Sequence, residues 1–106
     1  MPELVVTLYS SSFCGACAGT RRTLERVAPL LGDRVQWREV NVADDPDESD
    51  RREITATPTV VFAAPDGTEI RRASGVPTPD QVLAAIAASL PDDGRREAAA
   101  PAPSSR

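Results

Sequence analysis

The sequence predicts a single α/β domain whose sheet mixes parallel and antiparallel strands. Three observations carry that expectation. A strand, a helix and a second strand succeed one another over roughly the first forty residues, where apolar spacing switches from alternation to helical periodicity and back. A Pro65-Asp66-Gly67 turn then separates two strand-like runs. Finally, a helix opens on Thr78-Pro79-Asp80-Gln81, a capping-box sequence with proline at the first helical position. At 106 residues the chain is long enough for one core and too short for two.

Each element has its own local cause. Leu4 to Tyr9 is an apolar, β-branched run and reads as the first strand, with Ser10-Ser11-Ser12 as the turn that follows. From about Gly15 the spacing becomes helical: Leu24, Val27 and Ala28 fall inward, while Arg21, Arg22, Glu25 and Arg26 fall mostly outside. Pro29 cannot donate to the carbonyl four residues back, so a kink or an end is expected near Ala28, before Gly32-Asp33 closes the unit. Val35 to Val42 alternates as a half-buried strand, parallel to the first through a right-handed crossover.

Asp45-Pro46-Asp47-Glu48 marks a short helix, with Asp45 as cap and Glu48 completing a capping box. Ile54 is its one large apolar residue, and it is expected to be the least stable element. Thr59 to Ala63 reads as a buried strand and Thr68 to Ala73 as its antiparallel return. In the last helix Val82, Leu83, Ile86, Ala87 and Leu90 form the stripe that faces the sheet. From Pro91 onward the composition turns to Pro, Ala, Ser, Asp and Arg without apolar periodicity. Residues 1–90 are therefore read as the domain and 91–106 as a disordered tail.

Charge and hydropathy narrow the partners. Sixteen acidic against twelve basic residues, all arginine, give a net charge of −4 and argue against nucleic acid. The N-terminus has no basic n-region, and the longest apolar run is far too short for a signal peptide or a membrane span. A cytoplasmic monomer that touches neither membrane nor nucleic acid is expected.

The chemistry-bearing stretch is Phe13-Cys14-Gly15-Ala16-Cys17, which holds both cysteines of the chain. Two thiols with two residues between them, after a strand and at the start of a helix, read as a redox pair. Cys14 falls at the N-cap, where unpaired N–H groups and the positive helix end favour a thiolate and pull its pKa below the ordinary thiol range. Cys17, one turn inside, is the buried resolving thiol. The same pair also suits a structural disulfide or half a zinc site. With no histidine and no further cysteine, a complete Cys/His site would need two chains.

The order strand-helix-strand, short helix, X-Pro, hairpin, helix resembles the thioredoxin superfamily. Cys14-Gly15-Ala16-Cys17, Thr57-Pro58 and Gly75 carry the resemblance, which spans Leu4 to Leu90. It implies a mixed four-stranded sheet of order 2-1-3-4 with helices on both faces, lacking the first strand and helix of full-length thioredoxins. It also implies a cis peptide before Pro58, facing the disulfide, with Thr57 offering backbone groups to an extended substrate. Gly75 and the Thr57-Pro58 turn would line the substrate groove, and Phe13 and Val76 would form its apolar rim.

The departures are specific. Phe13 stands where the superfamily usually has tryptophan, Ala16 where it has proline, and Arg22 where a proline kinks the first helix. The buried aspartate of thioredoxins falls at Leu8 and its lysine partner at Glu39. If Glu39 points under the disulfide, burial should raise its pKa and suit it to accept the proton of Cys17; a solvated glutamate paired with an arginine is the plain alternative.

The function expected is thiol-disulfide exchange with protein disulfides, needing no cofactor or metal and recharged by a separate reductase or low-molecular-weight thiol. Two rivals remain. One is glutaredoxin-like exchange with low-molecular-weight thiols, for which Ser74-Gly75-Val76-Pro77 lacks the usual Gly-Gly-Cys-Asp-like turn and the chain lacks lysine. The other is a non-catalytic binding or redox-sensing module.

Overall fold

The computed structural model describes residues 2–90, and the expected tail, residues 91–106, lies outside the described residues. The elements are β1 (Leu4–Ser10), α1 (Gly15–Leu31), a 3-10 turn (Gly32–Arg34), β2 (Val35–Asn41), α2 (Pro46–Arg51), β3 (Thr59–Ala63), β4 (Glu69–Ser74) and α3 (Pro79–Ser89). The four strands form one sheet in the order β2-β1-β3-β4. β1 and β2 are parallel, while β3 runs antiparallel to both β1 and β4. The expected mixed sheet and its order are therefore present. Among the described residues no helix is long and apolar enough to cross a membrane.

Side-chain alternation along the central strands divides the interior in two. Leu4, Val6 and Leu8 of β1, with Val60 and Phe62 of β3, meet Leu24 and Val27 of α1 and Val82 and Ile86 of α3. On the opposite face Tyr9, Val61 and Ala63 gather with Val40, Val42 and Ile54, and the helix on this side is the short α2. Every residue of β3 is buried, as befits a strand covered on both faces.

Three local expectations need correction. Of the kink or end expected near Ala28, the end does not occur: helix α1 runs through Pro29 to Leu31. Proline so close to the end removes a single bond, the one it would donate to Glu25, and only two residues follow. In α3 the expected stripe holds at Val82, Leu83, Ile86 and Leu90, which are buried or packed against the core, but Ala87 is exposed, and Ala85 and Ser89 complete the inward face. Ser89 is accommodated because its hydroxyl donates to Ala85 O at 2.7 Å and accepts from Arg71 Nε at 2.9 Å.

The third correction concerns α2. Asp45 caps it, accepting the Glu48 N–H at 3.1 Å, but the Glu48 side chain does not complete the box. Its carboxylate is taken instead by the Tyr9 hydroxyl at 2.6 Å and by Arg38 at 3.1 Å. Ile54 lies beyond the helix, in the connection to β3, and packs against the Tyr9 cluster.

Candidate active site

The sheet topology delivers three chain segments to one end of the molecule. Thr59 of β3 lies opposite Tyr9 of β1, and Ser74 of β4 lies opposite Thr59. Whatever follows Tyr9, precedes Thr59 or follows Ser74 must leave the sheet at the same end. Those segments are Ser10 to Cys14, Thr57-Pro58 and Gly75-Val76, so residues forty to sixty positions apart become neighbours.

Cys14 is the N-cap of α1, with extended backbone angles of φ −109° and ψ 104°. Its sulfur is joined to Cys17 in a disulfide. The same Sγ accepts the backbone N–H of Cys17 at 3.0 Å, in the position a capping oxygen would take. On reduction that N–H and the positive helix end face the Cys14 sulfur, an arrangement that suits an anion there. Cys17 is 1% exposed, whereas Cys14 is only partly buried. The two sulfurs thus differ in access as well as in electrostatics.

Beside the disulfide two large apolar side chains, Phe13 and Val76, are exposed. Phe13 adopts φ +58° and is fully exposed, which turns its ring outward beside Cys14. The Thr57-Pro58 peptide is cis and Pro58 is buried. Pro58 O accepts from Gly75 N at 3.2 Å, which ties the turn before β3 to the turn after β4. Gly75 holds φ +81°; a Cβ there would meet nothing within 4 Å, so it is the backbone angle and not space that calls for glycine. Thr20, fully buried in α1, donates to Ala16 O at 3.0 Å and lies 3.5 Å from Gly75 O. Val76 is about half exposed and sits over Gly19, where a Cβ would come within 3.6 Å of its Cγ1.

Phe13, Cys14, Cys17, Thr57, Pro58, Gly75 and Val76 are therefore brought together at one end. Glu39 does not behave as the general-base reading requires. It shares a sheet face with Leu8, its register partner, but its carboxylate turns to Arg21 of α1, receiving Nε at 2.7 Å and Nη2 at 2.5 Å. Ser10 Oγ donates to the same carboxylate at 3.0 Å. The Arg21 bonds, seconded by Ser10, hold the Glu39 pKa below the usual carboxylate range, the opposite of the expected rise. An edge-strand glutamate within reach of an arginine is more stable ionised than protonated, and its register partner Leu8 is a core residue.

The sequence marks Ser10-Ser11-Ser12 only as a turn, whereas each hydroxyl has a partner distant in the chain. Ser10 bonds Glu39 of β2, Ser11 Oγ lies 2.8 Å from Thr57 Oγ1, and Ser12 Oγ accepts from Asn41 Nδ2 at 3.4 Å. Three successive hydroxyls between a strand and a cysteine pair were the available signal. Their separate targets depend on long-range register and could not be read locally.

The comparisons with known proteins agree with this geometry. The family model described as Thioredoxin matches residues 2–88. A thioredoxin of Methanocaldococcus jannaschii is 31% identical over 62 residues, covering 58% of this chain and 73% of the relative. Among solved structures, the Fasciola hepatica thioredoxin superposes with a TM-score of 0.73 at 26% identity, covering 82% of this chain and 81% of that one. The Malassezia sympodialis thioredoxin gives 0.71 at 28% identity, with 82% and 75% covered.

Proposed function

The chain belongs to the thioredoxin family of thiol-disulfide oxidoreductases, and from that premise we propose that it reduces disulfides of protein substrates through a mixed-disulfide intermediate. The observation that carries this reading is the position of Cys14 Sγ at the N-cap of α1, accepting the Cys17 N–H beside the Thr57-Pro58 and Gly75 turns.

In the reduced protein, the Cys14 thiolate attacks one sulfur of the substrate disulfide. A Cys14–substrate disulfide forms and the other substrate sulfur leaves as a thiolate. Cys17 then attacks Cys14 Sγ, the second substrate sulfur departs, and Cys14–Cys17 closes. Two electrons pass from the protein to the substrate, and the two protons of the dithiol end on the two product thiols. A separate reductase or a low-molecular-weight thiol returns the electrons. The exposed Phe13 and Val76 give an apolar rim on which a polypeptide segment rests.

Direct attack of Cys14 needs no cofactor, so catalysis should be measurable with the purified chain. With dithiothreitol as electron source, the protein should accelerate insulin reduction well above the Cys14→Ser variant. Equal rates for the two would favour a non-catalytic binding or sensing role instead.

A further inference from the structure

The turn before β3 is held on three sides. Internally, the Thr59 hydroxyl donates to Ala56 O at 2.7 Å. On the β4 side, Gly75 N donates to Pro58 O at 3.2 Å. Toward the cysteines, Ser11 Oγ meets Thr57 Oγ1 at 2.8 Å across 46 residues of sequence. The first two bonds give the turn its shape and its attachment to the hairpin, whereas the third ties it to the loop that carries Cys14.

We propose that Ser11 is a positioning residue for substrate: its hydroxyl fixes Thr57, and thereby sets the substrate-binding turn at a constant distance and angle from the Cys14 sulfur. The inference rests on the reading of Thr57-Pro58 as the segment that receives an extended polypeptide. Thr57 is β-branched, so its χ1 has few wells, and it precedes proline, which confines its backbone to extended angles. One hydrogen bond to the side chain of such a residue is enough to fix the whole peptide unit. Without that bond the turn keeps its attachment to β4 and the β1–β3 ladder that ends at Tyr9 and Thr59, but loses its side-chain tie to the Cys14 loop beyond the ladder, so the two segments gain freedom relative to each other. Because positioning contributes through geometry, the loss should appear mainly where a long substrate must be aligned with the sulfur.

The test compares a disulfide-containing polypeptide with a small aromatic disulfide, on the parent, Ser11→Ala and Ser11→Thr. For Ser11→Ala, KM for the polypeptide should rise about 3- to 10-fold, the range that one neutral hydrogen bond is worth, with kcat changed less than twofold. The small disulfide should show a distinctly smaller change in kcat/KM, and Ser11→Thr, which keeps the hydroxyl, should recover most of the loss. Thr57→Val removes the other hydroxyl at nearly constant shape. Adding it to Ser11→Ala should raise KM no further than Thr57→Val does alone.

Equal KM values for parent and Ser11→Ala overturn the inference while leaving the functional reading intact. So does an equal loss on both substrates, which would place the role of Ser11 at the cysteine loop, and so does additivity of the two substitutions. A parent protein that turns over neither disulfide overturns the functional reading itself, and this inference with it.

Discussion

The two faces of the sheet are closed by different physics. On the α1 and α3 face, Leu4, Val6, Leu8, Val60 and Phe62 meet apolar side chains of both helices, and area removed from water does the work. The α2 face has a smaller apolar cluster, and α2 itself, Pro46-Asp47-Glu48-Ser49-Asp50-Arg51, contains no aliphatic or aromatic side chain beyond its proline. It is fastened by directed polar bonds: Tyr9 and Arg38 to Glu48, then Arg52 Nη2 to Gly67 O at 2.8 Å, and Arg72 Nη2 to Arg52 O at 2.7 Å. Area is tolerant of small shifts, but hydrogen bonds are not.

The active site straddles that division. Cys14 and Cys17 belong to α1 on the apolar face, whereas Thr57-Pro58 follows α2 and its polar fastenings. The cysteine pair is therefore mounted on the apolar side, and the Thr57-Pro58 turn on the side that depends on ionised groups. Perturbing either face should accordingly have a different signature.

The largest effect is expected from the apolar face. Phe62→Ala should destabilise the fold by about 3–5 kcal/mol through lost transfer energy and the cavity left behind, measured by urea unfolding. Glu48→Ala, on the polar face, should cost less, about 1–3 kcal/mol, chiefly because the buried Tyr9 hydroxyl loses its acceptor. A cost for Glu48→Ala equal to or above that of Phe62→Ala would break the comparison.

A smaller and more selective effect should come from pH. The Tyr9 hydroxyl, and after it Arg38, holds the Glu48 pKa below the usual carboxylate range. A group depressed in the fold contributes stability that is present above its unfolded pKa, near 4.3, and is lost as pH falls through the lower folded value. Glu39, held down by Arg21, and Glu69, held down by Arg72, carry the same sign. Acidification below about pH 4 should therefore release amide protons of α2 and the following connection before those of α1, as read by hydrogen exchange. At the alkaline end, burial and the Glu48 contact raise Tyr9 to about 12. Stability should then be lost as pH rises from the unfolded tyrosine value near 10 toward the folded one. Release of α1 first in acid would contradict this assignment.

What the sequence made legible follows the range of each interaction. Strand β3, the Asp45 and Thr78 caps and the Cys14 N-cap position are set by residues within four of one another, and all are found where expected. Glu48 was drawn from its capping box by Tyr9, 39 residues away, and Glu39 is held by Arg21, 18 residues away. The Ser11 contact to Thr57 spans 46. Local grammar names a side chain's options, and register chooses among them. The gathering of Cys14, Cys17, Pro58 and Gly75 at one end was legible because a cysteine pair, an X-Pro step and a glycine punctuate the chain; the hydroxyls and carboxylates around them do not.

The two sulfurs are unequal: Cys14 caps α1 and is partly exposed while Cys17 is enclosed, which is why the proposed attack is assigned to Cys14. Alkylation of the reduced protein with iodoacetamide across a pH series, resolved by peptide mass spectrometry, tests it directly. Cys14 should label first, with its half-maximal rate at a pH below about 8.5, the value of a free thiol. Earlier labelling of Cys17, or equal rates at the two positions, would contradict the assignment.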